Sequence, residues 1–110
     1  VQDTMRWYDF LDFMLEGRAP EFVRLYRVPG MPHGQGGPSA DQFDTLQPLI
    51  AWVEHRTAPQ SIVAATRTEN PDITARMAGL TRPLCPYPSY AKYRQGSLQK
   101  ASSFQCVISK

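Results

Sequence analysis

His33 is one of two histidines in the chain, and glycine and proline fence it on both sides in RVPGMPHGQGGPSADQF, Arg27 to Phe43. An imidazole titrates near neutral pH, so a loop histidine can serve as a general base when a hydroxyl or water lies within hydrogen-bond reach. The plain alternative is a solvated loop residue. His55 lies between Glu54 and Arg56 at an expected helix end, where a partly charged imidazole complements the dipole, and it is read as structural. Asp41 and Asp44 stand three apart ahead of the same helix and are better explained as N-terminal caps than as paired catalytic carboxylates. Gly34, Gly36 and Gly37 carry no phosphate loop, since no Walker lysine follows and no strand-to-helix turn adjoins them. Cys85 and Cys106 form no CxxC or Cys/His metal pattern. Either they close one disulfide, stabilising by roughly 3 kcal/mol in the chain-entropy model, or they are two buried thiols.

A nucleophile is harder to find. There is no G-x-S-x-G, and Ser39, Ser61, Ser89, Ser97, Ser102, Ser103 and Ser109 all lack the strand-turn-helix setting that exposes a catalytic serine.

The elements that must carry His33 follow from periodicity. DTMRWYDFLDFMLEG reads as an amphipathic helix, with Arg6, Asp9, Asp12 and Glu16 as a polar stripe and a wide apolar remainder of Trp7, Tyr8, Phe10, Leu11, Met14 and Leu15. Asp3 or Thr4 is expected to cap its start, and Gly17 to take a left-handed conformation at its end. Phe22 to Val28, bounded by Pro20 and Pro29-Gly30, has strand composition. After the histidine loop a second helix is expected, capped at Asp44 or Thr45 because Pro48 is tolerated only in a first turn. Leu46, Leu49, Ile50 and Val53 would form its buried face, with Trp52 at the edge. Ser61 to Thr66 is a second short strand, and the remainder is weakly periodic, with Tyr87, Tyr90 and Tyr93 expected to pack near the cysteines.

At 110 residues, 42% hydrophobic and 20% charged, the chain is at most one small domain or a piece of a larger one. Ten prolines and seven glycines call for much turn structure. The net charge of +2, with no basic stripe interleaved with aromatics, argues against nucleic acid. No apolar run approaches the roughly 20 residues that span a bilayer, which argues against a membrane segment. Val1 reads as a cut point rather than a natural start.

Longer strings carry a family resemblance. RVPGMPHGQGGPSADQFDTLQPLIAWVEHRTAPQSIVA, TRPLCPYPSYAKYRQGS and the terminal SSFQC together resemble the C-terminal end of the tannase/feruloyl esterase family, which includes related aromatic-ester hydrolases. The resemblance covers about Trp7 to Cys106. It implies an α/β fold, the C-terminal part of an α/β-hydrolase, in the order helix, strand, histidine loop, helix, short strand, disulfide-closed tail. In that fold the triad runs Ser, Asp or Glu, then His on the loop after a late strand. By position His33 matches the triad histidine, and Cys85 and Cys106 match the family's C-terminal disulfide pair. The implied activity is hydrolysis of aromatic-acid esters through an acyl-enzyme, in a secreted or periplasmic protein.

Two departures qualify that expectation. Many members carry a cysteine after the triad histidine, bonded to one before the nucleophilic serine; here the position is Gly34. The nucleophilic serine, the triad aspartate and the lid domain, which often carries calcium, have no counterpart in residues 1–110, and Asp3, the nearest acid, reads as a cap. Residues 1–110 are therefore expected to be the C-terminal part of a catalytic domain, inactive in isolation, needing the remainder of the domain as partner and no cofactor of their own. The competing expectation is a non-catalytic remnant of the fold.

Overall fold

The computed structural model describes residues 1–109. Helix α1 spans Gln2–Met14 and helix α2 Leu46–His55. Strands β1 (Ile62–Ala65) and β2 (Thr81–Leu84) form one antiparallel ribbon, and β3 (Tyr90–Tyr93) and β4 (Phe104–Val107) another. Short 3-10 turns lie at Ala19–Glu21, Ala75–Met77 and Ala101–Ser103. The disulfide between Cys85, just after β2, and Cys106, in β4, ties the ribbons together, which excludes free thiols.

The core lies on one face of the first ribbon. Ile62 and Ala64 point inward with Leu84 and Ala40, packed by Tyr26, Val28, Phe43 and Leu80. Alternation along β1 sends Val63 outward. Two extensions matter for the site. Gln42 bridges Ala65 through reciprocal backbone hydrogen bonds of 2.9 and 2.8 Å, and Tyr26 bridges Pro86. The chain on either side of the histidine loop is thus fixed to the ribbon.

Several expectations are corrected. Phe22 to Val28 is not a strand: Phe22 and Val23 bond back to the Ala19 carbonyl, and only Tyr26 makes a bridge. Side chains claim this stretch instead, with Arg24 and Tyr26 both donating to the Pro59 carbonyl. Neither Asp3 nor Thr4 caps α1, which begins after Val1 without a side-chain cap; Asp3 sits within the first turn and pairs loosely with Arg6. Gly17 does take the left-handed conformation, at φ +83°, and Glu16 shares it. Thr45 holds the α2 cap position, but the Asp44 carboxylate does the bonding, accepting from the Leu46 and Gln47 N–H groups at 2.8 and 3.4 Å. Leu46, Leu49 and Val53 are exposed rather than buried, because α2 meets the molecule through half-buried Ile50 and Trp52. The tyrosines do not form one cluster over the disulfide: Tyr87 meets Tyr8 edge-on, Tyr93 meets Phe104, and Tyr90 is exposed.

Candidate functional site around His33

The loop leaves the core at Val28 and returns to it at Ala40, so both its feet are anchored. Between them it crosses itself. Gly37, at φ +69°, lies so close to Gly30 that a Cβ would strike the Gly30 carbonyl oxygen; a Cβ at Gly30, at φ +81°, would strike that of Pro38. Only glycine supplies both the left-handed backbone and the close approach. His33, Gly34 and Gln35 form the exposed tip. Met31 and Pro32 shape its approach, Met31 N–H donating to the Val28 carbonyl at 3.2 Å.

His33 lines an open cavity of about 910 Å³ whose walls include Thr4, Arg27, Met31, Ser89 and Tyr90. Ser89 is the hydroxyl nearest to a nucleophile in this setting, but it closes a turn: both its Oγ and its N–H donate to the Pro86 carbonyl. It has no strand-turn-helix elbow. No acid partner for the imidazole comes from Asp3, whose carboxylate is almost wholly solvated and faces Arg6.

The second half of the loop is gripped by side chains. Gly36 N–H donates to Asp41 Oδ2 at 3.0 Å and Gly37 N–H to Asp72 Oδ2 at 2.9 Å. Asn70 Nδ2 donates to the Gly37 carbonyl at 2.9 Å, and Ser39 Oγ to that of Gly36 at 2.6 Å. Asp41 is therefore no helix cap. Its side chain is fully buried and also accepts from Arg67 N–H at 3.1 Å and Arg67 Nε at 3.2 Å. Burial pushes its carboxyl up, but the Arg67 and Gly36 backbone donors and the Arg67 guanidinium outweigh burial and hold it below the usual carboxylate range.

Of the two histidines, His33 lies at this cavity, whereas His55 is exposed at the end of α2. Cys85 also lines the cavity, but as half of the disulfide. Arg67, Asn70 and Asp72 escaped sequence reading because their link to the loop is made through the Gln42–Ala65 bridge, across more than twenty residues. Among the described residues no three His, Cys, Asp or Glu side chains lie together where they could hold a metal ion.

Comparison with known proteins supplies the family. The sequence model described as tannase and feruloyl esterase matches residues 3–107. A mono(2-hydroxyethyl) terephthalate hydrolase from Piscinibacter sakaiensis is 44% identical over 106 residues, covering 96% of this chain and 17% of that protein. A probable feruloyl esterase from Arthroderma benhamiae is 38% identical over 88 residues, covering 78% of this chain and 16% of that protein. The crystal structure of feruloyl esterase B from Aspergillus oryzae superposes with a TM-score of 0.73 at 21% identity, over 96% of this chain and 24% of that one. The chain spans about one sixth of the length of these curated relatives. With the family match running across nearly all of its residues, the chain belongs to the tannase and feruloyl esterase family.

Proposed function

We propose that this chain is the C-terminal part of a serine esterase with an α/β-hydrolase fold, in which His33 is the general base for hydrolysis of aromatic-acid esters. One observation carries the reading: the histidine stands exposed on the wall of a cavity large enough for an aromatic ester, on a loop with both feet in the core. The substrate class rests on the relatives, whose names specify terephthalate and feruloyl esters. The serine, the aspartate that orients the ring, the oxyanion donors and the lid belong to other parts of the polypeptide.

The steps balance without a cofactor. The unprotonated ring nitrogen of His33 takes the serine proton as Oγ bonds to the ester carbonyl carbon. When the C–O bond breaks, the imidazolium gives that proton to the departing alcohol oxygen. In the second half the ring takes a proton from water, whose oxygen attacks the acyl carbon, and returns it to serine Oγ. The Cys85–Cys106 disulfide favours an oxidising compartment, in keeping with a secreted or periplasmic enzyme.

The test is His33→Ala in the full-length protein, assayed on methyl ferulate, methyl gallate and a nitrophenyl ester. Loss of a general base lowers kcat by about 10²- to 10⁴-fold, with folding unchanged as read by the thermal midpoint. Wild-type turnover by the variant overturns the reading. Absence of turnover in the unmodified full-length protein favours the non-catalytic remnant.

A further inference from the structure

We propose that Asp41 is a positioning residue for His33, acting through a clamp with Arg67, Asn70 and Asp72 that fixes the peptide planes of Gly36 and Gly37. The proposal rests on His33 being the base.

Four polar side chains satisfy both the N–H and the C=O of two consecutive glycines, three and four residues beyond the histidine. Gly36 is buried and Gly37 half-buried, so water cannot freely serve these peptide groups and side chains hold them instead. Three of the four, Ser39, Asp41 and Asn70, are themselves buried at 2%, 8% and 4% residue exposure. A buried carboxylate is costly unless fully paired. Asp41 is: Oδ2 receives Gly36 N–H and Arg67 Nε, and Oδ1 receives Arg67 N–H. Asn70 is braced in turn, its Oδ1 accepting from Asp72 N–H at 2.9 Å, so Asn70 and Asp72 hold Gly37 as one unit.

The geometry explains why such a clamp bears on the tip. The core holds Val28 and Ala40, but the residues nearest to His33 on its C-terminal side are Gly34, Gln35, Gly36 and Gly37. Three of those four are glycines at positive φ, with the wide conformational freedom that implies. Fixing Gly36 and Gly37 from four directions leaves only Gly34 and Gln35 able to reorient the ring. General-base catalysis depends on placement, and a displacement of about 1 Å can reduce rate about 10²-fold.

The experiment compares Asp41→Asn, Asp72→Ala and His33→Ala in the full-length enzyme, well below the unfolding temperature. Asp41→Asn keeps the size of the side chain but removes the charge that receives three donors. The expected result is a 10- to 100-fold fall in kcat per folded molecule for Asp41→Asn, with KM changed less than threefold and faster amide hydrogen exchange at Gly36 and Gly37. Asp72→Ala, at the exposed side of the clamp, gives a smaller fall of the same kind and serves if Asp41→Asn does not fold. Wild-type kcat in the folded clamp variants, while His33→Ala is inactive, overturns the proposal and leaves the base assignment standing. A loss that matches only the unfolded fraction also overturns it. Full activity of His33→Ala removes the base, and the proposal with it.

Discussion

At the scale of single residues, the buried carboxylate and the exposed imidazole play complementary parts. His33 stands exposed at the tip of its loop, open to a substrate under the proposed reading; Asp41 needs exclusion from water, so that its three donors are not replaced by hydration. The depressed ionisation of Asp41 has a definite sign. Its folded pKa lies below the ordinary value of 3.8, so the stabilisation is complete above that value and is lost as pH falls through the lower folded pKa. The charged groups around it are Arg67, which pairs with it, and Glu69, which lies 3.9 Å from the same guanidinium; Asp72 grips the neighbouring peptide. Thermal unfolding of the full-length protein and its Asp41→Asn variant should therefore differ most at neutral pH. The gap should narrow below pH 3.8, where only the wild type loses a charge. A gap that does not vary with pH would show that Asp41 acts by shape rather than charge. Gly34 completes the residue picture. At φ +97° with no atom within 4 Å of a Cβ, it has room for a side chain but a backbone that disfavours one.

Among the elements, the helices and β1 were legible because periodicity needs only local sequence, whereas the remaining strands are set by distant partners. β2 contains Pro83 opposite Val63, which would argue against a strand were it not at a free edge. β3 and β4 are four residues each, too short for alternation to stand out, and the disulfide and pairing bring them together. Phe22 to Val28 misled in the other direction, since β-branched and aromatic composition describes a residue's fit to a sheet and not the presence of one. At the site, the histidine loop could be read from its glycines and prolines, but the clamp could not, because Arg67 reaches Asp41 only after β1 has paired with Gln42. The segment before the loop is instead held by Arg24. Its guanidinium donates to the Pro59 carbonyl at 2.6 Å and lies 5.6 Å from the centre of the Trp52 ring, joining α2 to the approach of the loop. Losing a hydrogen bond from a charged donor and a cation–π contact costs about 2 kcal/mol. Arg24→Ala should destabilise the full-length protein by about that amount in denaturant unfolding, and Arg24→Lys should recover part of it. No change in midpoint would mean that α2 is held by other contacts.

For the molecule as a whole, surface and size point to a face awaiting a partner. An independent folded monomer of 12.4 kDa exposes about 6,100 Å², whereas this chain exposes 7851 Å². Its radius of gyration is 14.8 Å, against about 13 Å for a compact domain of this length. The excess is on the scale of a large permanent interface rather than a transient one. The residues responsible form stripes. On α1, Tyr8 is buried and Met5, Leu11, Asp12 and Leu15 are half-buried, while Trp7, Phe10 and Met14 recur three and four apart on the opposite side and are more than half exposed. On α2, Leu46, Leu49 and Val53 repeat the same spacing, also exposed. A helix apolar on both sides belongs between two layers; the curated relatives are about six times as long as this chain, and under the proposed reading further polypeptide of that kind supplies the second. Trp7→Glu combined with Phe10→Glu separates the two contexts. In the isolated 1–110 polypeptide the unmodified sequence should bind a hydrophobic dye, unfold without a sharp transition and show no esterase activity, and the double variant should be more soluble and bind less dye. In the full-length protein the same pair places two unpaired charges at a buried contact, which is costly, and should lower the unfolding midpoint by several degrees, since the shift per kcal/mol shrinks as the chain lengthens. If the full-length enzyme tolerates the double variant with its midpoint unchanged, the outer stripe of α1 faces solvent in the complete protein, and the layer assigned to it does not exist.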